Sequence, residues 1–298
     1  MDYDEFKEEV LKELRETHGD GMEITLLKVK KTNGADYEGV SFRVKEAGDG
    51  ITASAIFRIA LLYDEYVEGE MDIAACAEAL WEAHEKSKNL EGLQQFVESI
   101  PSWETTRRNV YPALLSMEKN IDLLPKLVVF PMLDLAVIFV IRREMTGGGD
   151  SIVKITTELL EDYGISRQEL YDAAMENLKN DGYYFQDMDD VVREISLLDD
   201  AEKPMGTGMY ILSNSSKLYG AAGILDKDLV NEFAKGRDMY ILPSSVHETI
   251  FVSTEKYCAE ELDQMVAEIN ELEVLKEERL VDHCYFYDGK TGEIRMRP

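Results

Sequence analysis

The stretch from Leu127 to Ile141, LVVFPMLDLAVIFVI, constrains this chain more than any other segment. A helix that spans a bilayer needs about 20 consecutive apolar residues. This run ends after 15 and carries Pro131 and Asp134 within it. A proline inside a helix removes a backbone donor and clashes with the preceding turn, so the segment reads as buried strand. A buried strand needs a core around it, and the composition supplies one. Of 298 residues, 45% are hydrophobic, enough apolar surface to offset the entropy of ordering.

Charge narrows the partners. The 60 Asp and Glu against 32 Lys and Arg leave a formal net charge of −28. Binding to a phosphate backbone needs clustered cations, so direct nucleic-acid binding is not expected. An acidic decoy that imitates nucleic acid would need regularly spaced acids along one face, whereas here they occur in every segment. The three cysteines, Cys76, Cys258 and Cys284, form neither a disulfide framework nor a CxxC pair. The opening MDYDEFKEEV lacks the basic-then-apolar order of a signal peptide. We therefore expect a cytoplasmic protein without a membrane segment.

Periodicity lays out the rest. Asp4 to Thr17 places Phe6, Val10, Leu11 and Leu14 on one helical stripe. MEITLLKVKK and YEGVSFRV, joined at Asn33-Gly34, predict a hairpin with a two-residue turn, closed off at Gly48-Asp49-Gly50. Helices are predicted from Thr52 to Tyr66, after an Asp72 N-cap, and from Leu93 to Ile100. A boundary near Pro101 divides the chain into an N-terminal helix and hairpin region, 1–100, and an α+β domain, 101–298.

Beyond that boundary, TTRRNVYPALLSMEKN predicts a helical or bent piece, and Met145 to Asp150 a loop. Ser166 with Glu169 predicts a capping box for SRQELYDAAMENL. An acidic connector follows, around Asp187 to Asp190 and Asp199 to Glu202. MYILSN and YGAAGIL read as strands, Asp226 as the cap of a helix ending at Ala234, and MYIL and ETIFVS as strands. An acidic helix covers Ala259 to Leu272, and HCYFYDGKTGEIRM is a terminal hairpin turning at Asp288-Gly289. The expected fold class is α+β: an N-terminal helical region with a β-hairpin, then a mixed, mainly antiparallel sheet with packed helices.

LPSSVHE, Leu242 to Glu248, gathers the most chemistry in the fewest residues. One reading is a hydrolase or transferase with Ser244 or Ser245 as nucleophile, His247 as base and Glu248 orienting it. In an extended strand, however, His247 and Glu248 point to opposite faces. If the chain turns, Ser245 and Glu248 fit a capping box, a structural task. The small residues that flank a nucleophile elbow are absent. Gly289-Lys290-Thr291 lacks the glycine that a phosphate loop needs five residues earlier. The histidines form no HExxH, and Asp187 to Asp190 lacks the glycine and glutamate of a calcium loop. No cofactor or metal site is expected.

Together NVYPALLSMEKN, ELYDAAMENL, MYILSN followed by YGAAGIL, and LPSSVHE, in this order, resemble the bacterial domain of unknown function 5688 family. That family is itself similar, in its ENL helix and GAA segment, to the domain of unknown function 1444 family. This chain departs at Ile51 to Phe57, where ITASAIF stands in place of an I-S-P-T-I-Y-L-like lead into a helix. Carried over by motif, the resemblance implies binding residues at Asn214, Tyr219 and Gly220, beside Ser244, Ser245, His247 and Glu248. It implies no activity or cofactor. The expectation is a non-catalytic binding protein with an unidentified protein or small-molecule partner; the enzyme and the decoy are the alternatives.

Overall fold

The computed structural model describes residues 1–44, 55–88, 96, 98–144, 150–196, 206–243 and 245–297. The chain forms two compact units, Met1–Ile100 with Arg143–Ser151 and Pro101–Arg142 with Ile152–Pro298. Both combine helices with antiparallel sheet, an α+β fold.

In the first unit, helix α1 (Tyr3–His18) starts from a capping box, in which the Asp2 carboxylate accepts the Glu5 amide at 2.9 Å and Glu5 returns the favour to the Asp2 amide. Its buried face is Phe6, Val10, Leu11 and Leu14. Strands β1 (Met22–Lys30), β2 (Asp36–Val44) and β3 (Ile56–Arg58) form an antiparallel sheet. Helices α2 (Ala60–Glu68) and α3 (Ile73–Lys88) follow, and Asp72 accepts the Ala75 amide at 2.8 Å as the cap of α3. Cys76, Ala77 and Leu80 of α3 join the α1 stripe in one apolar cluster.

Two expectations change here. The β1–β2 connection is wider than two residues. Lys31 N donates to Ala35 O at 2.7 Å, enclosing Asn33 and Gly34 at φ 57° and 61°. Asn-Gly does supply the left-handed pair, but within a five-residue loop. The helix expected from Thr52 starts only at Ala60, because Ile56–Arg58 pairs with Gly39–Ser41 of β2 as a strand. The Gly48-Asp49-Gly50 turn, most of ITASAIF, half of the Leu93–Ile100 stripe, the Met145–Asp150 loop up to Asp150 and the Asp199–Glu202 acids lie outside the described residues.

The second unit holds the long apolar run. It folds as a hairpin: β5 (Phe130–Met132), a turn with Leu133 at φ 57°, and β6 (Leu135–Glu144). Leu135 to Ile141 are each at most 3% exposed. Strand β4 (Val110–Ser116) pairs with β6, as do β5 and β7 (Asp150–Lys154). Within the segment predicted as helical or bent, Val110–Ser116 is therefore strand, while Trp103–Thr106, Arg107–Asn109 and Glu118–Asn120 on either side are short helical turns. Pro112 explains the outcome, since it disfavours helix interiors but is tolerated on an edge strand, the place β4 takes in the β4–β6–β5 order.

After α4 (Thr157–Tyr163) comes α5 (Arg167–Lys179), where the Ser166 hydroxyl accepts the Glu169 amide at 3.1 Å. The ENL asparagine has a structural use. Asn177 Nδ2 donates to the carbonyls of Arg107 at 2.8 Å and Val110 at 2.9 Å, pinning α5 to the start of β4.

Strands β8 (Tyr184–Asp187), β9 (Met209–Ser213), β10 (Met239–Leu242), β11 (Thr249–Ser253), β12 (Tyr285–Asp288) and β13 (Glu293–Met296) form an antiparallel sheet in the order β13-β12-β10-β11-β9-β8. Helix α6 is Met188–Ser196, α7 is Lys227–Ala234 capped by Asp226, and α8 is Ala259–Leu272. YGAAGIL is not a strand. Gly220–Leu225 is a tight 3-10 turn, and its small residues let the backbone press against neighbours where a side chain would collide.

Candidate functional site

LPSSVHE is the connection between β10 and β11, opened after the Leu242–Ile250 pair. Its backbone is used on both sides. Val246 N donates to the Glu278 carbonyl at 2.8 Å, and the Val246 carbonyl accepts the Ala221 amide at 3.2 Å. Ser245 pairs as an isolated bridge with Arg279. The segment is thus neither a continuing strand nor a helix cap. The Ser245 hydroxyl accepts the amide of His247 at 3.1 Å, two residues on, and the turn is closed by that bond.

The His247 ring is positioned by two elements. Its Nδ1 accepts the Tyr219 amide at 3.3 Å, and Nε2 lies 3.4 Å from Glu278 Oε1. A backbone amide only donates, so Nδ1 is the acceptor and the ring proton sits on Nε2, facing the carboxylate. The His247 carbonyl in turn accepts the Ser213 hydroxyl at 2.9 Å. Glu248 is half-buried and makes no hydrogen bond with another described residue. Ser244 lies outside the described residues.

Tyr219 stands at φ 54°, a left-handed conformation that costs a bulky residue about 1–3 kcal/mol. Asn214 holds the loop that imposes it. Fully buried, Asn214 accepts the Leu218 amide at 3.0 Å and the Ser216 hydroxyl at 3.2 Å through Oδ1. Its Nδ2 donates to the Leu218 carbonyl at 2.9 Å and to Asp181 Oδ2 at 2.7 Å. Asp181 pairs with Arg142, whose guanidinium also donates to the Leu218 carbonyl at 3.3 Å and stacks 4.1 Å over the Tyr111 ring.

Polar contacts therefore run Arg142–Asp181–Asn214–Leu218, and through the adjoining Tyr219 amide on to His247 and Glu278. Burial works against the Arg142 charge, but the Asp181 hydrogen bond and the Asp181 charge together, with smaller contributions from Tyr111 and Tyr183, outweigh it, and the Arg142 pKa rises. Burial, and after it the Glu278 charge, pushes the Tyr219 phenol above its ordinary value. Asn214, Tyr219, Gly220, Ser245 and His247, all legible from motifs, come together. Arg142, Asp181, Ser213 and Glu278 were not foreseen. The only sequence signal for Arg142 is that it is the first charge after the apolar run, and for Asp181 that it opens an Asp-Gly turn after the ENL helix.

A second polar cluster gives Asp134, the flaw in the apolar run, its purpose. Tyr285 Oη donates to Asp134 Oδ1 at 2.5 Å, and His283 Nε2 lies 2.8 Å from Oδ2. These bonds join the β5–β6 turn to β12. Burial alone would raise the Asp134 pKa; the Tyr285 and His283 bonds overcome it and hold the carboxyl below its usual range. A lowered folded value means that the stability Asp134 contributes is complete above about pH 4, the unfolded carboxyl range, and is lost as pH falls through the folded value. Tyr285→Phe is expected to move the onset of acid unfolding to higher pH, followed by circular dichroism between pH 2 and 6. An unchanged acid limb would remove this cluster from the stability account.

The same unit contains a cavity of about 350 Å³. Its apolar wall includes Phe130, Tyr171, Ile224, Val230, Tyr287 and Ile294, so the hairpin of the long run, α5, the Gly-Ala-Ala turn, α7 and the terminal hairpin each contribute. No motif announced it, because its lining is drawn from across the unit.

Fold and site define an α+β protein whose second unit holds a partly buried polar network and a largely apolar cavity, both drawing residues from its two antiparallel sheets. The chain belongs to the family described as "Family of unknown function (DUF5688)", whose family model matches residues 3–289. No curated protein and no solved structure matches it. No described helix is long and apolar enough to cross a membrane. Among the described residues, no group of three or more His, Cys, Asp or Glu is placed to hold a metal ion.

Proposed function

We propose that this protein binds an apolar small molecule in the cavity of its second unit and performs no chemistry on it. The carrying observation is the cavity itself, about 350 Å³ and largely apolar, within the size range of small-molecule sites. On this reading Asn214, Tyr219, Gly220, Ser245 and His247 hold the 3-10 turn in place, and Ile224 and Leu225 of that turn reach the cavity wall.

The hydrolase alternative needs a ring nitrogen of His247 free to take a proton from a hydroxyl. The Tyr219 amide on Nδ1 and the Glu278 carboxylate facing Nε2 favour a positioning role instead. Three unpaired thiols, Cys76, Cys258 and Cys284, suit a reducing bacterial cytoplasm.

The test is a fluorescence titration with the neutral dye N-phenyl-1-naphthylamine. Wild type is expected to bind one equivalent saturably. Ile294→Trp, which places a larger ring in the cavity, is expected to weaken binding at least tenfold with the circular dichroism spectrum unchanged. Lack of saturable binding by wild type, or equal binding by the folded variant, would overturn the proposal.

A further inference from the structure

Resting on that binding reading, we infer that the cavity takes an apolar monocarboxylate, its charged end at Lys227 and Tyr171 and its body against the apolar wall. The inference starts from an unspent cation. In a chain of net charge −28, basic side chains readily find carboxylates. Arg142 pairs with Asp181, Lys119 with Asp282 and Arg295 with Asp288. Lys227 lines the cavity, and its side chain makes no ion pair or hydrogen bond with any described residue.

The acids beside Lys227 in sequence are already engaged. Asp226 caps α7 by accepting the amides of Asp228 at 3.1 Å and Leu229 at 3.2 Å, and Asp228 faces Lys179 at 3.5 Å. Helix stability does not account for Lys227 either. It is the first residue of α7, where a positive charge opposes the helix dipole.

Tyr171 supplies the second observation. Its ring packs 4.9 Å from Phe130 and 6.3 Å from Phe139, yet its hydroxyl has no partner among the described residues. The other phenol on the wall, Tyr287, spends its hydroxyl on Asn231 Oδ1 at 2.5 Å, and Gln168 Nε2 is tied to Asp172 at 2.8 Å. The wall side-chain donors without a bond to a described residue are thus an ammonium and a phenol, on an otherwise largely apolar wall. An ammonium selects an anion, and a phenol donates a hydrogen bond to a carboxylate. Everything else about the protein's charge repels anions, so carboxylate affinity would report this local pair.

Displacement of N-phenyl-1-naphthylamine from the full-length protein tests the inference with two matched pairs, 2-naphthoate against 2-naphthamide and decanoate against decanamide. Each carboxylate is expected to bind at least tenfold more tightly than its neutral amide. The tighter of the two carboxylates identifies an aromatic or an aliphatic body. Lys227→Met, at an exposed position, is expected to erase the carboxylate preference while leaving both amides within about twofold, and Tyr171→Phe to reduce it about threefold. Amides that bind as well as carboxylates, or a preference that survives Lys227→Met, would overturn the carboxylate assignment and leave the binding reading standing. Failure of the dye and all four compounds to bind would overturn both.

Discussion

Replacing Arg142 with Met is expected to destabilise the second unit by about 3–5 kcal/mol, the usual cost of breaking a buried ion pair from one side. The Arg142 and Asp181 side chains are only 10% and 8% exposed. Without the guanidinium, Asp181 keeps one partner, the Asn214 amide on Oδ2, and its other oxygen is left in a poorly solvated site. The Leu218 carbonyl loses a donor as well, which loosens the loop that sets Tyr219. A unit of this size loses about 2–4 °C of Tm per kcal/mol, so a drop of roughly 10 °C is expected. Trp103 fluorescence in a Trp81→Phe background reads the second unit alone. The double variant Arg142→Met with Asp181→Asn, which leaves no unpaired charge, is expected to recover at least half the loss. A cost below about 1 kcal/mol for Arg142→Met would mean that the pair is solvated and not central to the network.

Gly220→Ala has the second-largest expected effect, through contact and not through backbone preference. Gly220 is not among the positive-φ glycines. A Cβ there would sit 2.4 Å from the His247 carbonyl oxygen, 2.5 Å from Ser213 Oγ and 3.0 Å from the Asn214 amide nitrogen. Two of these obstacles are backbone, so no side-chain rotation relieves them. The 3-10 turn must move away from the β10–β11 connection, stretching the Ala221–Val246 bond and displacing Ser213 from the His247 carbonyl. Overpacking of this kind costs about 1–3 kcal/mol, and the strained bonds place Gly220→Ala at the upper end. Ile224 and Leu225 ride on the same turn, so N-phenyl-1-naphthylamine binding is expected to weaken together with stability. Urea denaturation of the variant gives the first quantity and dye titration the second. Unchanged stability would show that the turn and the connection are not in contact.

Elements with an apolar stripe and a cap were legible from the residues. Helix α8 occupies Ala259–Leu272 with Leu262 and Val266 buried, and Asp226 caps α7. Stripes do not say where they stop being covered: Ile269 and Leu272 of α8 are exposed. Segments with weak or conflicting local signals went the other way. VYPALLS is a strand because β6 offers a partner, and GAAGIL is a turn because small residues are squeezed by neighbours remote in sequence.

The candidate site divides along the same line. Its motif residues stood out as compact patterns, but the partners that define their chemistry are distant: 39 residues separate Arg142 from Asp181, 33 separate Asp181 from Asn214, and 28 separate Tyr219 from His247. Local order thus determined the α+β character, the helix caps and the terminal hairpin, because capping, turn geometry and periodicity act within a few residues. Only the folded chain decided that His247 faces an amide and a carboxylate, that Asp134 accepts from Tyr285 and lies beside His283, and that a largely apolar cavity carries an ammonium with no partner among the described residues. Each of these is an encounter between groups whose separation along the chain says nothing about their distance in space.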